Sequence, residues 1–347
     1  MKQSLVGLPL TELEKLFTPS FRARQLYQHI CRGTRSFAEM TDFSLSLRET
    51  MENRYTLYSS EIVQQFKDRD GSVKLQIGLS NEARIESILL ADKTGRKTAC
   101  LSTQVGCPIG CVFCRTGMLG FNRNLASTEI VEQYLHLQTV AGSRIDNVVV
   151  MGMGEPLLNI EELRKALVFL TSAEGVNLSK RSVTISTSGA AAGIWDLAEK
   201  GPNVRLALSL ITADEKLRGR LMPATRANPL STVKDALRRY QQSQKRRVTL
   251  EIVILGGVNN RQKDVDLTAD FAQGLKVAVN LIPWNPVFGA LFEGAPLRQP
   301  SRAETNGFAE SLRRKGLNVT VRLKKGCDVG GACGQLGYLP RTEVHET

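Results

Sequence analysis

The sequence predicts an α/β protein: an open (βα)6 partial TIM-type barrel with a small α+β accessory domain at its N-terminus. Three observations predict it. From about residue 97, strand-like apolar runs alternate strictly with amphipathic helical stretches, the pattern of a parallel sheet with helices outside. Six such units and one last strand are present, fewer than the eight that close a full barrel. Before residue 90 the rhythm is different: helical spacing first, then alternation around a hairpin signal. A doubly wound open sheet shares the βα rhythm, and periodicity alone does not exclude it.

Taken in order, residues 1–55 read as helical. Leu10, Leu13, Leu16 and Phe17 recur at helical spacing, as do Leu26, His29 and Ile30 in FRARQLYQHI. In EIVQQFKDRDGSVKLQIGL, apolar residues alternate on both sides of Asp70-Gly71, a hairpin turn pair, and IESILL continues as a third strand. Residues 1–90 therefore form one accessory unit. The barrel, residues 91–325, is built from TACLST and STEIVEQYLHLQTV, NVVVM and IEELRKALVFL, SVTIS and AAGIWDLAEK, VRLALSL and STVKDALRRYQQ, VTLEIVIL and VDLTADFAQGL, VAVNLI and RAETNGFAESLRRKG, and NVTVRL. Residues 326–347 are a glycine-rich tail, expected to be mobile.

Hydrophobic residues make up 42% of the 347, enough for a sizeable core. No apolar run approaches the roughly 18 residues of a membrane span. The opening MKQSLVGLPLTELEKLF lacks the apolar centre of a signal peptide, so a cytoplasmic enzyme with no membrane partner is expected. Seven cysteines, an odd number, argue against a secreted disulfide framework. The net charge is +12, spread over short groups such as Lys180-Arg181, Lys245-Arg246-Arg247, Arg313-Arg314-Lys315 and Lys324-Lys325. Each group alone reads as a solvated surface. Their sum favours a polyanionic partner, RNA or DNA alike.

Four cysteines fall in CLSTQVGCPIGCVFC. Cys107, Cys111 and Cys114 form C-x3-C-x2-C directly after the first barrel strand, in a loop enforced by Gly106, Pro108 and Gly110. Three thiolates are one short of a closed zinc site, and Cys327 and Cys333 lack the spacing of a second zinc-ribbon pair. Three can hold a four-iron cluster with one iron left open for an amine and a carboxylate. Zinc and inert buried cysteines are the rival readings. With Phe113 before its last cysteine, the motif resembles the signature of the radical S-adenosylmethionine (SAM) superfamily. That resemblance implies one [4Fe-4S] cluster, SAM as cosubstrate, and a reducing donor such as flavodoxin or ferredoxin.

Active sites of such barrels lie at the C-terminal strand ends. Gly154 and Glu155, Ser186 to Ser188, Ser209, and Trp284 with Asn285 all fall there. Singly, each reads as a cap or turn residue; together they outline one rim beside the cysteine loop. The glycines would admit the SAM amino group, and Glu155, Ser186 and Asn285 could bond its amine or ribose.

The strings MGMGEPLLN, GFNRNL, STSG, LIPWNP and ACGQL resemble the RlmN/Cfr family of RNA adenine methyltransferases. The match runs from LVGL to ACGQL, nearly the whole chain. It implies methylation of an adenine carbon in 23S rRNA, with tRNA adenine a substrate of some members, and it favours the C2-methylating over the C8-methylating branch. Ring carbon C2 is no nucleophile, so direct methyl transfer from SAM fails there. The resemblance implies that Cys333 is first methylated, that its carbon adds to the base as a radical, and that Cys100 then attacks the Cys333 sulfur to free the RNA. It places a proton acceptor at Glu86, given a one-residue insertion near Thr94-Gly95, and assigns SAM contacts to Ser209 and Leu210.

Two departures stand out. Ile211 occupies the histidine position of the family's Ser-Leu-His, and Cys327-Asp328-Val329-Gly330-Gly331 replaces its usual acidic tail sequence. Cys31 reads as core, and His29, His136 and His345 are too scattered for a metal site. The rival functions are C8 specificity or another RNA target, a radical-SAM enzyme of small molecules, and a non-catalytic, metal-stabilised RNA-binding module.

Overall fold

The computed structural model describes residues 2–92, 94–322 and 325–337. Lys324, His345 and the tail beyond residue 337 lie outside the described residues.

Three helices open the chain: α1 (Leu10–Leu16), α2 (Ser20–Arg32) and α3 (Leu45–Arg54). In α2, Ala23, Leu26, Tyr27 and Ile30 are buried, one stripe at the i, i+3, i+4, i+7 spacing. Three antiparallel strands follow: β1 (Glu61–Lys67), β2 (Val73–Gly78) and β3 (Arg84–Ala91). The β1–β2 turn closes where Asp70-Gly71 predicts it, with Gly71 N–H donating to Asp68 O at 3.1 Å.

The barrel strands are β4 (Lys97–Cys100), β5 (Asn147–Val150), β6 (Val183–Thr187), β7 (Arg205–Ser209), β8 (Val248–Ile254), β9 (Val277–Pro283) and β10 (Val319–Val321). All seven pair in parallel, each beside its predecessor. The sheet runs β10-β9-β8-β7-β6-β5-β4-β3-β2-β1 and does not close on itself. Between the strands lie α4 (Ser127–Ala141), α5 (Ile160–Thr171), α6 (Ala191–Lys200), α7 (Leu230–Gln244), α8 (Gln262–Ala272) and α9 (Arg302–Arg314). Strands covered on both faces need apolar residues throughout, and Val148, Ile185, Leu206, Leu208, Leu250 and Val279 are fully buried.

The hairpin strands of the N-terminal stretch continue the barrel sheet. β3 pairs antiparallel with β4, Ile88 opposite Cys100. This pairing sets the strand that carries Glu86 beside the strand that carries Cys100. The preceding helical segment is fastened to α4 by a buried polar chain. Ser59 N–H and hydroxyl donate to Glu132 Oε1 at 2.7 and 2.9 Å, and the Ser60 hydroxyl donates to Glu132 Oε2. Ser60 also meets His136 Nε2 at 3.0 Å, while Arg35 meets His136 Nδ1 at 2.7 Å. Since arginine only donates, Nδ1 must accept, which assigns the proton of a neutral ring to Nε2.

Candidate active site

A two-stranded ribbon, Gln104–Gly106 against Phe121–Asn124, clamps both ends of the cysteine loop. The sequence reading missed it because each strand is only a few residues long. Gly106 sits at φ +76°, and a Cβ there would lie 1.9 Å from Gly120 O. Cys107 N–H donates to that same Gly120 carbonyl at 2.8 Å, so the glycine sets the first ligand's position. Cys114 opens a short helix, Arg115–Met118. A Cβ on Gly117 would come within 2.7 Å of Cys111 N, so the absent side chain lets this helix lie against the second cysteine. Phe113 is buried, and its carbonyl accepts from Trp284 Nε1 at 2.8 Å, tying the loop to the opposite rim.

Cys107, Cys111 and Cys114 line one cavity together with Gly154, Glu155, Ser186 and Ser209. Burial pushes the Cys107 thiol up to about 12; burial and the neighbouring Cys114 and Cys107 push Cys111 well above its ordinary value; burial also raises Cys114. Three such thiols become thiolates together only beside a cationic centre, which deprotonates its thiol ligands outright. Among the described residues, no three His, Cys, Asp or Glu side chains form a ligand set for a single metal ion. A zinc ion at 2.3 Å from each sulfur would need sulfurs about 3.8 Å apart, whereas an iron–sulfur cluster spreads its thiolates over separate irons. The donor set fits the cluster.

The rim residues divide. Gly154, at φ +103°, would drive a Cβ into Gln104. The Glu155 carboxylate is buried and accepts from Leu157 N–H at 3.1 Å and Ser188 N–H at 2.6 Å; burial raises its pKa against those bonds. The Ser186 and Ser209 hydroxyls lie 3.2 Å apart on β6 and β7, facing the cavity. Leu210 departs from expectation: it is fully buried in the main core and does not line the cavity. Its neighbour Ile211 does, at φ +62°, a strained conformation for a β-branched residue. Asn285 also departs, because its Nδ2 donates to Cys333 O at 3.2 Å and it lines only the adjoining cavity.

That adjoining cavity holds Cys100 and Cys333, both free thiols. Cys333, Cys114 and Arg322 line both cavities, so the tail cysteine borders the space of the three-cysteine loop and that of Cys100. Burial, then the charge of Cys333, pushes the Cys100 thiol up to about 12, and Arg322 opposes this. The tail sequence predicts mobility, but its described part is tied down. Gly326 and Asp328 N–H donate to Asp70 and Asp68 at 2.9 Å, the Thr116 hydroxyl donates to Leu336 O at 2.5 Å, and Gln335 Nε2 to Pro286 O at 3.0 Å. Glu86 is buried, paired with Lys74 at 3.1 Å and bonded to Gly337 N–H; it lines neither cavity.

Two charged cavity residues escaped the sequence reading, Glu251 and Arg322; Ser188, expected on the rim, lines the cavity. Arg322 directly follows the last strand, so its strand-end position was the available signal. Glu251 lies mid-strand, where only barrel curvature decides that it faces inward.

Residues 101–271 match the Radical SAM superfamily. The chain is 47% identical to "Probable dual-specificity RNA methyltransferase RlmN" of Treponema denticola over 97% of this chain and 96% of that one. It is 42% identical to the protein of the same name from Thermus thermophilus, covering 96% and 94%. The crystal structure of a radical SAM methyltransferase from Sphaerobacter thermophilus superposes with a TM-score of 0.91 at 36% identity, covering 96% of this chain and 99% of that one. Among the described residues, no helix is long and apolar enough to cross a membrane. With the three-cysteine loop, the glycine-lined rim and this likeness over nearly its full length, the chain belongs to the RlmN family of radical SAM methyltransferases.

Proposed function

We propose that the protein methylates C2 of an adenine in 23S rRNA, with tRNA as the second substrate class, working in the cytoplasm with electrons from flavodoxin or ferredoxin. Residues 1–90 are the accessory RNA-binding unit in this reading. The single observation that supports it is that Cys333 lines both the cavity of the three-cysteine loop and the cavity of Cys100.

Cys107, Cys111 and Cys114 would hold the [4Fe-4S] cluster, and Gly154, Glu155, Ser186 and Ser209 the SAM beside it, with Leu210 contributing through its backbone and Asn285 once it lets go of the tail. Bound together, cluster and SAM supply the 5′-deoxyadenosyl radical. The chain's own residues do the rest. Cys333 carries the methyl carbon on its sulfur and becomes covalently joined to C2 through it. Glu86 accepts the C2 proton after its bond to Gly337 opens. The Cys100 thiolate attacks the Cys333 sulfur, forming an S–S bond as the sulfur–carbon bond to RNA breaks.

The test is peptide mass spectrometry of purified protein together with nucleoside analysis of RNA from a deletion strain. A methyl group on Cys333 and loss of 2-methyladenosine are expected. An unmodified Cys333, or unchanged 2-methyladenosine, overturns the reading.

A further inference from the structure

The cavity of Cys100 and Cys333 contains a charge that the reaction above does not need for bond making. Arg322 directly follows β10, and its backbone N–H is fixed by Leu281 O at 2.8 Å. Its side chain reaches both cavities. Among the described residues its guanidinium makes no hydrogen bond; the charges it senses are Cys333 first, then Glu251 and Cys100. Other polar groups of the Cys333 cavity are committed. Asn285 bonds the Cys333 carbonyl, Lys325 donates to Ala91 O at 2.5 Å, and Thr116 donates to Leu336 O. A partly enclosed guanidinium with unspent donors is costly unless a ligand completes it.

The ligand's chemistry follows from the donor. Guanidinium offers N–H groups in one plane and accepts nothing, so its partner must present in-plane acceptors. The surrounding wall is largely apolar, with Ile88, Leu90, Met151 and Ile282, which suits the face of a nucleobase better than a phosphate. Adenine C2 is flanked by N1 and N3, both acceptors with lone pairs in the ring plane. We infer that Arg322 grips the target adenine, donating to N1 or N3 so that C2 faces Cys333. This rests on the C2 reading above and deepens it. The edge that carries C8 presents N7 instead, so a donor fixed at this point also selects between the two carbons. A hydrogen bond from a cation drains electron density from the ring and eases addition at C2.

The experiment uses the reconstituted full-length enzyme and has two arms. In the first, Arg322→Gln and Arg322→Lys are assayed for the methyl group on Cys333, which requires no RNA, and for methylated adenosine in RNA. For Arg322→Gln, Cys333 methylation within twofold of wild type and RNA methylation lowered roughly tenfold to hundredfold are expected, the loss of one charged hydrogen bond; Arg322→Lys restores part of it. In the second, the wild-type enzyme acts on synthetic RNA carrying 1-deazaadenosine or 3-deazaadenosine at the methylated position. One of the two should lose a similar factor, and Arg322→Gln should cost nothing further on that RNA. Unchanged RNA methylation by Arg322→Gln, equal loss of both methylations, or full-rate transfer to both deaza RNAs overturns the assignment. A wild-type enzyme with no methyl on Cys333 overturns the reaction reading itself, which separates the two failures.

Discussion

The backbone N–H of Gly337 donates to Glu86 Oε2 at 2.7 Å. A residue four positions beyond Cys333 is thereby clasped by the carboxylate of the strand next to Cys100. The other Glu86 oxygen is 3.1 Å from Lys74 Nζ, and both side chains are largely enclosed. Removing one member of such a pair leaves an uncompensated charge, at a cost of about 3–5 kcal/mol. Glu86→Gln should therefore lower the urea midpoint clearly. Glu86→Gln with Lys74→Met should recover much of that loss, which a double-mutant cycle in urea reads directly. If the double variant is no better than the single, the pair is not the anchor.

If the proposed reaction holds, removing the Cys100 thiol should stop it after RNA is attached. Cys100→Ala is expected to leave RNA covalently joined to Cys333, visible as a shifted band that survives denaturation. Burial is the first cause that pushes the Cys100 thiol up, and it persists when the Cys333 sulfur is bonded to carbon and uncharged, so the Cys100 thiolate is scarce at neutral pH. Release of RNA from wild-type enzyme should accelerate as pH rises from 7 to 9, approaching tenfold per unit where this step limits. A flat profile, or free methylated RNA from Cys100→Ala at the normal rate, contradicts the role.

Much of this site is legible in the sequence because its parts obey local rules. C-x3-C-x2-C among glycines can only be a loop, and alternating βα units fix which strand ends share a rim. Ser186, Ser209 and Glu155 reach the cavity for that reason. What is not legible depends on contacts distant in the chain. Nothing near Leu210 says that its side chain turns into the core while Ile211, in a left-handed conformation, turns to the cavity. Nothing in LIPWNP says that Asn285 meets the Cys333 carbonyl 48 residues on. The glycines of the tail suggest freedom, yet Asp68 and Asp70 of the first hairpin supply acceptors for its backbone. Sequence periodicity reports which face is apolar; it does not report which distant acceptor a backbone N–H will find.

Gly106 offers a test of the loop that spares the rest of the barrel. An alanine there meets the Gly120 carbonyl at 1.9 Å and must also hold φ +76°. The ribbon that carries Cys107 must then move, since backbone cannot yield as a side chain does. Gly106→Ala should reconstitute with less than half the wild-type iron and sulfide, about a kcal/mol or more of strain falling on the ligand loop, while the far-ultraviolet circular dichroism stays unchanged. Full iron content would show that the loop tolerates the shift.

The buried chain from Arg35 through His136 to Glu132 makes stability depend on pH in a defined direction. Burial first, and the Arg35 charge second, hold the His136 pKa down to about 3 from its ordinary 6.5. Below pH 6.5 the unfolded chain takes up a proton there that the folded chain refuses until about pH 3. Stability contributed by neutral His136 is complete above pH 6.5 and is lost as pH falls through that window, by up to about 1.4 kcal/mol per unit. Glu132 shifts oppositely, since burial raises it and Ser59 and Ser60 only partly offset this, so the net slope is shallower. Urea midpoints should therefore decline from pH 7 to pH 5 in the wild type. In His136→Asn the baseline stability is lower, because the bond from Arg35 and the stacking on Tyr58 are weakened, but the decline over the same interval should flatten or reverse. An equal slope in both proteins would place the pH sensitivity on some other group.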